Sequence, residues 1–373
     1  MMLYISHSSA LEYWRNNWRR VQAGNALAEK RKFTGKPSAE PLDASELRFA
    51  NPWGLSMPLH ILVGSKNARK TTRGLICHIS SGQLPQGSFV QVSSGLAVSS
   101  PELCFVQLAN KLTLVELVEL GYEMCGVYRL EGQGGTAGGS GTGRGGGTAG
   151  RSGIAGGGGT AGHSGIAGGG GIAGRSGNTG ESSTSNGFRN GPPLTSKASL
   201  GSYIAKATGQ RGRAKALRAL RFIAEGSASP METILAMMLT LPYRLGGYGF
   251  SIPLHNKRIN VPAGTGKKAE WKELRCDLYW LDAKVGVEYD SDAFHTLAEK
   301  ITKDAIRRNA LSSVRTIVIT VTKRQIVSEV ELRKVAHVLS KLLGKRLQQR
   351  MPEFAERHAA LRRQLLPKVS FDR

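Results

Sequence analysis

Residues 132–191 hold 27 of the chain's 48 glycines, mixed with Ser, Thr and Ala. A twelve-residue unit recurs inside them: RSGIAGGGGTAG from Arg151, HSGIAGGGGIAG from His163, then RSGNTG from Arg175. Such a stretch has too little apolar surface to offset the entropy of ordering its backbone. It reads as a flexible, disordered Gly-rich linker over 132–195. No Lys-Ser/Thr follows a glycine run, as a phosphate-binding loop would require, and His163 is a repeat position rather than a metal ligand. The linker divides the 373 residues into an accessory α+β domain at 1–131, a second domain at 196–348 and a basic helical tail at 349–373.

Charge follows the same division. The formal net charge of +24 splits into +4 over 1–131, +3 over 132–195 and +17 over 196–373. The C-terminal part therefore has the electrostatic character of a polyanion binder, although a soluble basic surface has the same composition. No apolar run reaches the roughly 20 residues that span a bilayer, and the start has no basic-then-apolar leader pattern. The four cysteines (Cys77, Cys104, Cys125, Cys276) form no CxxC pair. That argues against a disulfide framework or zinc ribbon and predicts a cytoplasmic protein.

In the first region, HILVGS from His60, GLICHIS from Gly74 and SFVQV from Ser88 read as short strands between Gly and Pro signals. Ser99 or Ser100 as N-cap before Pro101 opens a helix through Leu112, and a second helix runs from Thr113 to Gly121. His60 and His78 alternate with apolar residues and read as packed or surface side chains.

The second region carries the chemistry. Ser202 to Gly226 reads as a helix, whole or broken, with Arg211, Lys215 and Arg218 on one arc and Leu217, Leu220 and Ile223 opposite. The basic arc suits either phosphate contacts or solvent. Ser229, Pro230 and Glu232 form a capping box at the start of the next helix. Residues 274–281 and 284–290 both alternate, with Asp282-Ala283 as the turn of a hairpin. That hairpin brings Asp277 near Glu288 and Asp290 on one face. Carboxylates converging there repel unless a cation sits among them, and all-oxygen ligation suits Mg²⁺ or Mn²⁺. Further on, Val330, Val335, Val338, Leu339 and Leu342 form a helical core stripe. A second basic helix, Glu353 to Leu366, is expected outside the core.

Asp277, the run Glu288-Tyr289-Asp290, and then Phe294-His295 resemble the core of PD-(D/E)XK nucleases. The similarity is to the endonuclease-like group related to very-short-patch mismatch repair endonucleases, and it extends over most of 200–345. Ser229-Pro230-Met231-Glu232 and Gly246-Gly247-Tyr248-Gly249 resemble that group's helix and turn. Lys303 to Asn309 resembles its basic helix, and Arg315 to Val321 its next strand. The resemblance implies a restriction-endonuclease-like α/β domain, a mixed sheet flanked by helices. It implies Asp277 and Glu288 as metal ligands and Glu232 as a helix-borne glutamate assisting the metal or its water. Asp290 stands where that superfamily usually has lysine, and His295 is then a candidate for proton transfer. Lys303, Arg307 and Arg308 join Arg211, Lys215 and Arg218 as candidate nucleic-acid contacts.

The stretch from Met57-Pro58-Leu59-His60 through Ser100-Pro101-Glu102 to Gly121-Tyr122-Glu123 resembles the domain that precedes nuclease-like domains in abortive-infection antitoxin-type proteins. It implies a regulatory module and a partner in a toxin–antitoxin or defence system. The expected function is a metal-dependent endonuclease or nickase acting on DNA, with RNA an open alternative, in DNA repair or phage defence. Cutting both strands would call for a homodimer. The other expectation is a noncatalytic nucleic-acid-binding or antitoxin-like regulator that keeps the nuclease fold.

Overall fold

The computed structural model describes residues 2–22, 35–37, 54–69, 74–80, 84–131, 187–262, 271–290, 298–348 and 352–366, without the side chains of 18–22 and 298–304. The chain falls into two units, 1–134 with 184–373, and 135–183. The Gly-rich repeats lie outside the described residues.

Short apolar runs build the first sheet: β1 (Leu3–Ile5), β2 (Leu59–Val63), β3 (Leu75–Ile79), β4 (Phe89–Ser93) and β5 (Leu96–Ser99), in the order β3-β2-β1-β5-β4. It is mixed, with β1 antiparallel to β2 and parallel to β5. Helix α1 (His7–Gln22) buries Tyr13 and Trp14, and the Trp14 indole donates to the Ser99 carbonyl at 2.8 Å. Ser100 caps α2 (Pro101–Leu108) by accepting the Leu103 N–H, and a capping box of Thr113 and Glu116 starts α3 (Leu114–Cys125).

The segment after α3 changes the reading of the linker. Strand β6 (Tyr128–Leu130) pairs antiparallel with β7 (Phe188–Asn190), Leu130 facing Phe188. Beyond that rung the Glu131 N–H donates to the Gly187 carbonyl at 2.9 Å, and Arg189 pairs with the Glu131 carboxylate at 2.6 Å. The chain therefore leaves and re-enters at one place. The described chain resumes at 187, before the expected linker end at 195.

Downstream come α4 (Lys197–Lys206), α5 (Arg213–Leu220) and α6 (Pro230–Thr240). The second sheet holds β8 (Leu254–Pro262), β9 (Trp271–Trp280), β10 (Val285–Asp290) and β11 (Ile317–Thr322), in the order β11-β10-β9-β8. Strands β8, β9 and β10 run antiparallel, and β11, reached through α7 (Ala298–Ser313), runs parallel to β10. The last helices are α8 (Lys323–Val327), α9 (Glu329–Leu342) and α10 (Phe354–Leu365). The class is α/β, with mixed sheets flanked by helices. Among the described residues no helix is long and apolar enough to cross a membrane.

One hydrophobic core runs from Leu3 in β1 to Leu365 in α10, across the expected boundary between accessory and second domains. Polar contacts cross it as well. Ser88 Oγ bonds Tyr203 Oη at 2.8 Å, Thr195 Oγ1 donates to Glu102 at 2.5 Å, and Tyr128 Oη bonds Thr233 Oγ1 at 3.0 Å. The β-carbon of an alanine at Gly121 in α3 would come within 2.2 Å of Ile223 Cδ1, so Ile223, in the segment between α5 and α6, packs directly on the α3 backbone. A smaller cluster of Val261, Leu274 and Leu311 lies apart, so the apolar residues of β9 are shared between two cores.

Three expectations need correction. The basic segment takes the broken form of the two expected, interrupted where Gly209 and Gly212 adopt positive φ (a β-carbon at Gly212 would meet the Val106 carbonyl at 2.4 Å), but its apolar face is not the expected one. Leu217 consequently stays 44% exposed, and Ala216 and Ala219 are the buried residues of α5. In α9 the buried stripe is Leu332, Val335, Ala336 and Leu339, while Val330 and Val338 face solvent. Helix α10 is part of the core rather than outside it, with Phe354, His358, Leu361 and Leu365 buried. The His358 Nδ1 lies 2.7 Å from the Gly246 carbonyl oxygen.

Candidate active site

Ser229 caps α6, accepting the Glu232 N–H, and Pro230 occupies the first turn. The expected capping box is only half formed. The Glu232 carboxylate instead reaches the Ala228 N–H at 2.9 Å and the Asn256 side-chain amide at 3.0 Å. Glu232 is only 7% exposed. The helix thus holds a buried carboxylate against the neighbouring strand β8.

Asn256 interrupts that strand. Its φ is 50°, and its amide also donates to the Gly226 carbonyl at 2.7 Å. The pairs His255↔Leu278 and Lys257↔Cys276 place Asn256 across from Asp277. On the other side of β9 the ladder ends at Val287↔Leu278, which puts Asp277 across from Glu288. There the Asp277 carboxylate, rather than a backbone carbonyl, accepts the Tyr289 N–H at 2.8 Å. Three polar side chains, Asn256, Asp277 and Glu288, so occupy one rung of the sheet.

The electrostatics follow from that placement. Burial first, then the charges of Glu232 and Glu288, raise the Asp277 carboxyl to about 7. The Tyr289 hydrogen bond and Arg275 pull it down, but not enough to cancel the rise. Glu288 has its own cation: Arg307 on α7 lies 2.5 Å from its carboxylate and donates also to the Arg275 carbonyl at 2.5 Å. Burial opposes the Arg307 charge, yet the bond to Glu288 leaves its pKa raised. The Asn256 Oδ1 and the Arg307 Nε are shielded from solvent with no hydrogen-bond partner.

Glu232 and Glu288 thus both act on Asp277, the first from a helix and the second from the adjoining strand. Among the described residues no three His, Cys, Asp or Glu side chains are arranged to hold a metal ion. Asp290 ends β10 half-buried, across from Thr322 of β11. His295 and the side chain of Lys303 lie outside the described residues, and Arg308 is exposed on α7. The expected Arg211–Lys215–Arg218 arc does not form. Arg211 sits in the turn before α5, Lys215 donates to the Leu112 carbonyl at 2.9 Å, and Arg218 alone is exposed on the helix. All four cysteines are free thiols.

Asn256 was not legible as a site residue, because a polar residue in an exposed strand carries no signal of its own. Arg307 was visible only as a basic helix position, without its carboxylate partner. No family model, curated protein or solved structure matches this chain.

Proposed function

We propose that this chain is a metal-dependent endonuclease or nickase that hydrolyses DNA phosphodiester bonds, its second sheet a restriction-endonuclease-like one. The observation that carries the reading is Asp277, set across from Glu288 on the neighbouring strand and within the field of Glu232 on α6, with its carboxyl raised to about 7. Crowded acids cost stability, and perturbed carboxyls of this kind concentrate at functional sites. The resemblance to PD-(D/E)XK nucleases rests on these same residues.

The residues present fit a hard divalent cation. Two carboxylates and the unpartnered Asn256 oxygen form an all-oxygen donor set, and Mg²⁺ or Mn²⁺ needs no more than one or two carboxylates because it keeps water ligands. Asp277 and Glu288 would hold it, with Glu232 beside them. Bound there, the ion would polarise a phosphoryl oxygen and lower the pKa of water. The chain's own groups do the rest. Glu232, fixed by Ala228 and Asn256, orients water at the scissile phosphate. Arg307 balances charge next to Glu288, and Arg308 and Arg218 offer exposed cations to the phosphate backbone.

The second reading, a noncatalytic nucleic-acid-binding regulator, is favoured by one observation: Arg307 already neutralises Glu288. A cleavage assay separates the two. Supercoiled plasmid with Mg²⁺ or Mn²⁺ is expected to be nicked or linearised, and EDTA or Glu288→Ala to abolish this while DNA binding persists. Retention on DNA with no cleavage in either metal would overturn the enzyme reading and leave the regulator.

A further inference from the structure

A cavity of about 490 Å³ opens at the first sheet, far in sequence from the carboxylates. Five chain segments line it: the start of α1, the β2 strand with its following turn, β3, the end of α2, and the turn before α5. Its size is that of a small-molecule site. Two features distinguish it from a packing defect.

The first is a stack of imidazoles. The His7 and His78 rings stack 3.6 Å apart at 21°, and the His60 ring lies beside them, 5.1 Å from His78 and 6.3 Å from His7. His60 Nδ1 lies 2.8 Å from His78 Nε2, so one of the two donates to the other and the pair is held flat. His7 is held as well: its backbone N–H donates to Gln107 Oε1 at 3.0 Å, its ring Nδ1 lies 3.0 Å from Ser6 Oγ, and its φ of 51° is unusual for a residue with a β-carbon. Burial, and then the neighbouring imidazoles, hold His7 and His78 uncharged near neutral pH, at about 3 and about 4. Uncharged imidazole faces suit a planar heterocycle. The second feature is charge. Lys66, Arg69 and Arg211 line the cavity, and among the described residues no Asp or Glu does.

We propose that this cavity is a second ligand site, which takes a nucleoside monophosphate with its base against the His7–His78 stack and its phosphate among Lys66, Arg69 and Arg211. The same chemistry arrives either as a free mononucleotide or as the phosphorylated end of a nucleic-acid strand. The site also gives the accessory region a role of its own, independent of whether the carboxylates cleave DNA.

The test is titration calorimetry on the full chain in EDTA, with four probes: adenosine monophosphate, adenosine, inorganic phosphate, and a short oligonucleotide with and without a 5′-phosphate. Adenosine monophosphate should bind with saturation. Adenosine and phosphate alone should each bind at least about tenfold more weakly, because each loses one half of the site. Arg69→Glu and Arg211→Glu change exposed side chains, so both should unfold as the parent does and weaken binding about tenfold or more. An oligonucleotide that binds only when phosphorylated, and more tightly than the mononucleotide, identifies the strand end as the source. The reverse order identifies the free nucleotide. Absence of binding by both nucleotide probes at millimolar concentration overturns the proposal, as does binding that ignores both charge reversals. Phosphate binding as tightly as the nucleotide overturns the stacking half.

Discussion

Replacing Asp277 by Asn should make the protein more stable in the absence of divalent ions. In the folded chain burial, helped by Glu232 and Glu288, puts the Asp277 carboxyl at about 7 against an ordinary 3.8. That is about 3 pKa units at ~1.4 kcal/mol each, so its ionisation costs the fold ~4 kcal/mol above neutrality. The direction follows from proton counting. Between the two values the folded chain binds the proton and the unfolded chain does not. Stability is therefore whole below the lower value, falls as the pH rises, and has lost its full amount above the upper one. Asn is neutral throughout, and its carbonyl oxygen can still accept the Tyr289 N–H.

Urea unfolding in EDTA should show Asp277→Asn gaining ~2–4 kcal/mol at pH 8, under ~2 at pH 5 and nothing measurable at pH 3. The range at pH 8 allows for relaxation of the neighbouring acids. Adding Mn²⁺ should stabilise the parent chain and leave the variant unchanged, since a ligand that binds only the folded state shifts stability by mass action. A variant no more stable than the parent at pH 8, or a gap that ignores pH, would refute the argument that burial and the nearby Glu232 and Glu288 raise the Asp277 carboxyl.

Other outcomes rest on the same contacts. Arg307→Ala leaves Glu288 half-buried without its 2.5 Å partner and should cost about 1–3 kcal/mol in urea unfolding with EDTA. Replacing residues 132–186 by an Asn-Gly turn should keep the circular dichroism spectrum and raise stability by about 3 kcal/mol, since nearly five halvings of the loop each save about 0.6 kcal/mol. A collapsed fold would contradict the closure of β6 on β7. Truncation before Glu353 strips Phe354, Leu361 and Leu365 from the core and should cost about 5 kcal/mol or more, giving aggregated or noncooperatively unfolding protein. A truncated chain as stable as the parent would return α10 to the surface.

Neighbouring residues decide the parts of the fold that were legible in the sequence. The β9–β10 hairpin follows from two period-two runs and a turn, and the facing of Asp277 and Glu288 is register arithmetic once the turn is placed. Caps at Ser100, Thr113 and Ser229 follow from the local shortage of backbone acceptors. The parts that stayed hidden depend on distant surfaces. A glutamate three residues past a cap serine signals a capping box, and only the approach of Asn256 turns Glu232 toward the sheet. Strands β6 and β7 have three residues each, too few to show a period, so the glycines between them read as a domain boundary. The buried residues of α10 recur at helical spacing, but the arginines among them suggested a solvated tail. The imidazole stack joins residues from α1, β2 and β3 that no motif links. The same division explains the carboxylate site: two of its acids were placed by a hairpin, the third by packing a helix on a sheet, and the cation by the helix that carries the chain over to β11.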